Sequence, residues 1–412
     1  MKKKVVSLLA LLICIALVAG LAACGPKTDS GGGGGGPASP GAPSSGEKIL
    51  RVHTDMMQGT LDPAGNASIT FVGYAPYALD KLVAFDDKGA VIYRAAESYE
   101  TNADQTVWTF HLRENAKWSD GSPVKAEDFV NTVRNSLAPS AGSMYSGELY
   151  VLKGAEEAAE DYSLVEQVGA IAVDDFTLEF DLKYPCAYFL KLVTLPVFAP
   201  SKAEYAKLEN TNWYDNPATS LGNGPFYMSE FVQDQKIVLK KNPYFYDAAN
   251  VKLDGVVMTV IPDIMAAAAA YETGEVDIAS GLLDTVMTQY EGKPDLNTWA
   301  MQTTVFVLAN LDKAPVMQDV RVREAFAIGL KRADLCAAIG TDLSPSFSFV
   351  ANQMVSNATD KKFSEERPQL FEEDIARAKQ LLADAGYPDG AGFPELTYTY
   401  PSGGKNGDVA VA

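Results

Sequence analysis

The segment from Val107 to Leu137 constrains the fold most, because it reads as a strand, a tight turn and a helix in quick succession. Every second residue from Trp108 to Leu112 is large and apolar, which is the period-two pattern of a half-buried strand. Asp120-Gly121 predicts a turn, since glycine tolerates positive φ and aspartate bonds its own backbone. Apolar residues then recur at helical spacing, and Pro139 ends the helix: Ala126, Phe129, Val130, Val133 and Leu137. None of these residues forms a catalytic constellation.

Residues 1–23 read as a signal peptide. Three lysines precede an almost wholly apolar run, Val5–Gly20, which is long enough to be considered for a membrane span. Its end favours another interpretation, because Leu21-Ala22-Ala23-Cys24 is typical of a bacterial lipobox. We therefore expect Cys24 to be acylated and to become the mature N-terminus, with an uncleaved signal anchor as the alternative. Acyl chains at ~0.8 kcal/mol per buried CH₂ would hold the protein on a membrane.

Residues 24–46 are rich in glycine, proline and serine. They carry almost no apolar side chains and cannot offset the entropy of ordering, so we expect a flexible tether. The glycine run Gly31–Gly36 matches a dinucleotide-binding pattern only trivially, because no strand precedes it and no helix follows.

Charge and composition exclude several function classes. The formal net charge of −19 would repel nucleic acid, whereas a neutral or cationic ligand is compatible with it.

Cys186 and Cys336 lie in apolar surroundings and are expected as buried free thiols or as one long-range disulfide. With only two histidines, a His/Cys metal site is not expected, and no cofactor is predicted.

The remaining patterns mix strands and helices without strict alternation, which favours an α/β protein with mixed sheets. The turn Asp86–Gly89 predicts a hairpin. Strands are predicted at 49–53, 176–182, 237–241, 256–261 and 305–310. Helices are predicted at 71–80, 188–193, 264–273, 319–330 and around 371–382, the last ended by Gly386.

Four ordered blocks carry a family resemblance: Trp108–Arg113 with Lys117–Gly121 and Ala126–Phe129; Gly222–Phe226 through Asn242-Pro243; Gly274–Asp277 and Arg321–Ala325; and Ala378–Tyr387. In order and approximate spacing they resemble the extracellular solute-binding proteins of family 5, the oligopeptide-binding proteins of ABC importers. The resemblance runs from about residue 48 to 405.

This resemblance implies a periplasmic-binding-protein-like clamshell (type II, cluster C) with an extra subdomain. Its lobes would be lobe I (47–76 and 188–288), the lobe II subdomain (77–187) and lobe III (289–412). Lobes I and III would close over an extended oligopeptide, bound mainly through its main chain. The partners implied are an ABC permease and an ATPase in separate chains. A monomer on the outer face of the bacterial cytoplasmic membrane is expected, extracellular or periplasmic according to the host.

The resemblance also implies where ligand would be contacted. Asn66, Ala67, Ser68 and Ile69 match a ligand-facing edge of lobe I, with an ordinary loop as the alternative. Tyr145 matches an aromatic presented to the peptide, or it is an ordinary packed tyrosine. Ser346 and Phe347 fall where lobe III faces the cleft, or in a plain linker. Four large aromatics of the first block are expected in the core of lobe II rather than at the ligand: Trp108, Phe110, Trp118 and Phe129. Arg321 and Arg323 are expected to fix a helix start.

Two departures from the family pattern stand out. Lys125 occupies the position where relatives carry Thr or Ser, so the following helix is expected to lack its usual N-cap at a cost of ~1 kcal/mol. The chain also stops at Ala412, inside lobe III, whereas relatives continue. The resemblance implies that the end of lobe III and the return to lobe I are missing, so that this chain would not close the clamshell.

Other functions remain open at this point. A member of the same family could bind a nickel chelate, haem, an opine or an oligosaccharide, or serve as a peptide sensor. A secreted hydrolase is the rival from another class. Against a hydrolase, this sequence lacks the Gly-x-Ser-x-Gly and His-Glu-x-x-His motifs, although a catalytic pair of carboxylates is not excluded. We predict a binding protein and not an enzyme.

Overall fold

The computed structural model describes residues 46–400 with gaps at 58, 66–68, 87–88, 211, 283, 299–302, 340–342, 353, 357–358, 360 and 368. The predicted signal peptide and nearly all of the tether lie outside these residues. Within the described part, no helix combines the length and apolar character needed to cross a bilayer.

The strands are β1 (Ile49–Thr54), β2 (Val83–Phe85), β3 (Val91–Tyr93), β4 (Ala96–Thr101), β5 (Val107–Leu112), β6 (Ala170–Ala172), β7 (Thr177–Asp181), β8 (Phe226–Val232), β9 (Lys236–Lys241) and β10 (Gly255–Val260). The α-helices are α1 (Ile69–Ala78), α2 (Ala126–Leu137), α3 (Ala155–Glu160), α4 (Phe189–Leu192), α5 (Ile264–Glu272), α6 (Asp284–Tyr290), α7 (Val320–Gly329), α8 (Arg332–Ile339), α9 (Phe363–Glu366) and α10 (Ile375–Asp384). Short 3₁₀ turns join several of them: Pro139–Ala141, Ser146–Val151, Tyr162–Gln167, Pro196–Phe198, Ala248–Asn250, Pro315–Gln318 and Pro388–Gly390.

One sheet joins the start of the described chain to a segment two hundred residues later. Its strand order is β1-β10-β9-β8, with β1 parallel to β10 and the other pairs antiparallel. Helix α1 covers this sheet, and the apolar core between them consists of Met57, Leu61, Tyr74, Ala78, Phe226, Met228, Ile237, Leu239, Val256 and Met258. The mixed parallel and antiparallel pairing confirms the predicted α/β class.

The second sheet is built from the segment with the strongest sequence signal. Its order is β4-β5-β7-β6, entirely antiparallel. Along β5 buried and half-buried residues alternate, as the period-two pattern predicts. Helix α2 contacts β6 and β7 and buries Phe129, Val130 and Val133. The four aromatics expected in this core, Trp108, Phe110, Trp118 and Phe129, are all at most 4% exposed, which confirms that prediction.

Helix α2 begins without a side-chain cap from Lys125, as the sequence indicates. The backbone N–H of Lys125 instead donates to the side chain of a residue in the first turn of the helix, Asp128. The Asp128 carboxylate accepts hydrogen bonds from Lys125 N at 3.0 Å, Trp118 Nε1 at 2.9 Å and Ala203 N at 3.0 Å. Asp128 therefore fixes the helix start, the turn before it and a distant loop together.

The block around Gly274–Asp277 attaches the chain after α5 to β1. Asp277 forms an ion pair with Arg51 at 2.5 Å, and its backbone N–H donates to Arg51 O at 2.8 Å. His53 N donates to Ile278 O at 2.9 Å, and its buried ring bonds Ile261 O through Nε2 at 3.0 Å. β1 is therefore held on one side by β10 and on the other by the segment leading to α6.

Towards the C-terminus, α7 packs against α10 through a small core of Ala325, Ile328 and Ala378. Arg321 contacts the Asp319 carboxylate and donates to Asp384 O at 2.7 Å. Arg323 donates to Met317 O at 2.6 Å. The prediction that these arginines fix a helix start is confirmed. Gly386 follows α10 with φ of +99°, the left-handed position expected there.

The predicted strand at 305–310 is wrong. The chain is irregular there, and no strand of the described part pairs with it. Val305, Phe306, Val307 and Leu308 are 51, 50, 65 and 80% exposed. An apolar run forms a strand only when a neighbour accepts its backbone hydrogen bonds. The two cysteines of the described part of the chain are free thiols, Cys186 buried and Cys336 half-buried, so the disulfide alternative is not observed.

Candidate ligand-binding site

The loop before α1 is the first region where ligand contact is expected. Asn66, Ala67 and Ser68 lie outside the described residues. Ile69 is the first residue of α1, and its side chain is likewise not described. Just before them, Asp62 N donates to Thr60 Oγ1 at 2.9 Å, and Ala64 N donates to Asp62 Oδ1 at 2.9 Å. The chain entering the predicted edge is therefore fixed by local side-chain turns.

Asp62 also ties this loop to a distant one. Trp213 Nε1 donates to Asp62 Oδ2 at 3.4 Å, and the indole is 6% exposed. Burial raises the pKa of the Asp62 carboxyl, while the hydrogen bonds from Ala64 and Trp213 lower it by less. Sequence reasoning missed this contact, because nothing local connects residues 151 positions apart.

Beside this junction lies a cavity of about 80 Å³. Its walls come from the loop after β1, the loop after Trp213 and the end of β8: Met57, Gly59, Thr60, Leu61, Tyr214, Asp215, Phe231 and Gln233. We call it the β1-loop cavity. Of the predicted ligand residues that the structure describes in full, Tyr145, Ser346 and Phe347 do not line it.

The C-terminal end of α1 is held by the block Gly222-Asn223-Gly224. Asp80 N donates to Asn223 Oδ1 and Asn223 Nδ2 donates to Asp80 O, both at 2.8 Å. Gly224 N donates to Ala78 O at 2.9 Å. A Cβ on Gly224 would stand 2.9 Å from Ala78 C, and one on Gly222 2.8 Å from Ala78 O. Both positions require glycine because the backbones approach so closely.

A buried charge network strengthens this anchor. The Asp80 carboxylate, whose side chain is 1% exposed, pairs with Arg94 Nε at 2.5 Å and accepts from Tyr246 Oη at 2.9 Å. Arg113 lies over the Tyr246 ring, 4.8 Å from its centroid. Helix α1 is therefore fixed at the end opposite to the predicted ligand edge.

The second predicted contact, Tyr145, precedes the 3₁₀ turn Ser146–Val151 and packs half-buried against the core of the second sheet. Its loop comes close to the first region, because a Cβ on Gly65 would lie 3.8 Å from Ala141 O. Ser143 Oγ, in the same loop, is buried and has no hydrogen-bond partner among the described residues. The fold thus brings the loop before α1 next to the loop that carries Tyr145.

The third predicted contact lies on a separate part of the chain. Ser346 Oγ donates to Ser348 O at 2.8 Å, so its hydroxyl serves the local turn. Phe347 packs edge-on against Phe371 at 5.9 Å, with Arg332 lying over both rings. Phe347 also lines a second, more open cavity of about 370 Å³ together with Ser344, Pro345, Ser348, Asn352, Lys362, Phe363, Ser364, Glu365, Arg367 and Gln369.

No hydrogen bond or ring contact within the described part joins Tyr145 to Ser346 or Phe347. Among the described residues no group of His, Cys, Asp and Glu side chains could hold a metal ion. What the geometry offers is hydrogen-bonding and apolar surface at two separate places: the paired loops at Gly65 and Tyr145, and the cavity at Phe347.

Comparison with known proteins defines the class. The profile of the bacterial extracellular solute-binding proteins, family 5 Middle, matches residues 90–412. The chain therefore belongs to family 5 of the bacterial extracellular solute-binding proteins.

Individual relatives agree with this membership. The dipeptide-binding protein DppE of Bacillus subtilis is 28% identical over 378 residues, which cover 90% of this chain and 68% of that protein. The periplasmic oligopeptide-binding protein OppA of Escherichia coli is 30% identical over 339 residues, covering 80% of this chain and 61% of the relative. The chain thus spans about two thirds of the length of these relatives.

Solved structures share the fold. The periplasmic oligopeptide-binding protein OppAIV of Borrelia burgdorferi superposes with a TM-score of 0.74 at 26% identity, over 85% of this chain and 69% of that one. The murein tripeptide-binding protein MppA of Escherichia coli gives 0.70 at 26% identity, over 84% and 68%. The predicted α/β fold of the periplasmic binding proteins is confirmed.

Proposed function

We propose that this chain is the substrate-binding component of an ABC-type importer and that it captures oligopeptides. The observation that carries the proposal is the DppE match, which extends over 90% of this chain to a protein named for dipeptide binding. Other relatives are named as oligopeptide- or murein-peptide-binding proteins, and those names describe binding, not catalysis. These names support a non-enzymatic capture role.

The geometry supports main-chain recognition. A peptide lying in an extended conformation offers alternating N–H and C=O groups, and it binds well to loop edges with free polar atoms. The loops at Gly65 and Tyr145 adjoin, and the Ser143 hydroxyl lacks a partner in the described part of the chain. We assign the peptide to this edge, contacted by Asn66–Ile69 and Tyr145, with Ser346 and Phe347 facing it from lobe III.

The lobe division belongs to the same proposal. Segments 47–76 and 188–288 form lobe I, 77–187 form lobe II and 289–412 belong to lobe III. The pairing of β1 with β10 supports a lobe I made from two separated segments. Closure of lobe III over lobe I would then convert peptide binding into a shape that a permease recognises.

Anchoring and partners complete the proposal. A lipid on Cys24 would hold the protein by its 24–46 tether at the outer face of the cytoplasmic membrane. The protein would act as a monomer with a separate permease and ATPase.

Peptide uptake tests the transport role. Cells deleted for this gene and complemented with its complete reading frame should regain uptake of an isotope-labelled tripeptide. Uptake of the labelled free amino acid should be the same in both strains and serves as the control. Unchanged tripeptide uptake on deletion, with altered peptide-dependent gene expression, would favour a sensor instead.

A second ligand class is favoured by one relative. The probable deoxycholate-binding periplasmic protein YgiS of Escherichia coli is 27% identical over 84% of this chain and 64% of its own length. An amphipathic steroid acid is therefore the alternative ligand. A calorimetric titration with deoxycholate below its micellar concentration decides between them, since a peptide receptor should give no saturable heat.

A further inference from the structure

The β1-loop cavity has one charged wall residue without a counter-charge. Asp215 lines it and has no hydrogen-bond or ion-pair partner among the described residues. Neighbouring carboxylates differ: Asp62 accepts from Ala64 and Trp213, and Glu230 pairs with Lys236 at 2.9 Å. No lysine, arginine or histidine of the described part of the chain lines the cavity. A negative charge is thus left open to an incoming group.

The other walls suit an alkyl stem. Met57 and Leu61 are 7 and 5% exposed, and Phe231 is half-buried. Such walls pack against methylene groups while a charged head stays near water and a carboxylate, which is how lysine and arginine side chains are bound at protein surfaces. A cavity of about 80 Å³ admits the end of a side chain rather than a whole peptide.

The field of the whole chain acts in the same direction. A net charge of −19 attracts cations to the surface, and a partly enclosed cavity with one unpaired carboxylate concentrates that attraction. The other polar side chains that line the cavity, among the described residues, are those of Thr60, Tyr214 and Gln233. Thr60 Oγ1 already accepts from Asp62 N, and Gln233 Nε2 donates to Asp234.

We propose that the β1-loop cavity is a subsite for the cationic end of a ligand, an alkylammonium or guanidinium group, with Asp215 as its counter-ion and Met57, Leu61 and Phe231 packing on the stem. This rests on the proposed function in one respect: the physiological source is a lysine or arginine side chain of a bound peptide. In the sequence, the lining residues Met57 to Leu61 precede the predicted ligand edge at 66–69 by a few positions.

Matched peptides test the source. Ala-Lys-Ala should bind on the order of twofold to fivefold more tightly than Ala-norleucine-Ala, the range of a solvent-accessible ion pair. Asp215→Asn should abolish that preference without changing the affinity for the norleucine peptide. Asp104→Asn, which removes an exposed charge in the β4–β5 turn, should retain it.

The outcomes separate the two proposals. If neither peptide binds the wild-type protein, the proposed peptide function is wrong, and a peptide lysine or arginine is then excluded as the source of the cationic group. If both bind with equal affinity, or if the lysine preference survives Asp215→Asn, the subsite alone is overturned.

A probe without a peptide tests the cavity itself. n-Butylammonium chloride should shift the indole N–H resonance of Trp213, two residues from Asp215, in a saturable manner. n-Butanol should not, and neither should n-butylammonium with the Asp215→Asn variant. Absence of the shift in the wild-type protein would overturn the subsite whatever the peptides do.

Discussion

Asp62 shows how a single buried carboxylate links structure to pH. Its position between the loop before α1 and Trp213 removes it from water, and burial raises its pKa. The folded protein therefore binds this proton more tightly than the unfolded chain. The stability that this group contributes is fully present below the unfolded pKa of ~3.9 and is lost as pH rises through the higher folded pKa.

The matching prediction concerns Asp62→Asn, which cannot titrate. The free energy of unfolding of the wild-type protein minus that of the variant should be larger near pH ~4 than near pH ~7. Urea unfolding across this range measures it, with Asp104→Asn as the control for net charge. A difference that grows towards neutral pH would contradict the assigned direction of the shift.

Asn223 carries the second residue-scale prediction. Its amide exchanges two hydrogen bonds with the backbone of Asp80, and it is 2% exposed. Asn223→Ala leaves a buried N–H and C=O unpaired, which should cost on the order of 2–4 kcal/mol of unfolding free energy.

The control is Asn210→Ala, which loses one exposed hydrogen bond to Tyr205 O and should cost well under 1 kcal/mol. Equal losses in chemical denaturation would show that the α1 anchor contributes nothing special to stability.

At the scale of elements, the second sheet depends on its aromatic packing. Phe180 in β7 is fully buried and contacts Phe110 at 5.9 Å and Phe189 and Phe198 at 5.5 Å between ring centroids. Phe180→Ala should therefore lower the free energy of unfolding by about 3–5 kcal/mol.

Tyr188→Ala, at a side chain 53% exposed, is the matched aromatic deletion and should cost less than 1 kcal/mol. Thermal or urea unfolding distinguishes them. A loss at Phe180 no greater than at Tyr188 would place β7 outside the core.

The elements also show what the sequence could predict. β5 and β7 follow from alternation and α2 from apolar spacing, because these signals depend only on neighbouring residues. The apolar run at 305–310 also has the composition of a strand, but it forms none. A strand needs a second strand to pair with, and that partner must come from another part of the chain. The Asp62–Trp213 contact and the β1-loop cavity join distant segments, so no local pattern could reveal them.

At the scale of the whole molecule, the parallel pairing of β1 with β10 closes the first sheet between residues that are far apart in sequence. The two-segment lobe I was predicted only from the resemblance of the four blocks to family 5. The residue patterns by themselves indicated only the α/β class. The ligand residues were inferred from the same resemblance, and all seven of them stay predictions. Three of them, Asn66, Ala67 and Ser68, also lie outside the described residues.

Membrane anchoring is the whole-molecule prediction. Cys24→Ser should abolish incorporation of an alkyne-labelled fatty acid and leave residues 1–23 uncleaved, which a larger apparent mass would show. Cys14→Ser, within the apolar signal run, should leave both labelling and mass unchanged. Continued labelling of the Cys24→Ser variant would contradict lipidation at this residue.

The central claim is that the protein captures peptides, and calorimetric titration of the purified protein from the complete reading frame tests it most directly. Short peptides of three to five residues, on the order of a strand that a loop edge can pair with, should give saturable heat at one site per monomer. The same amino acids added as a free mixture should give none. Saturable binding of the free amino acids, or no heat with any peptide, would contradict the account.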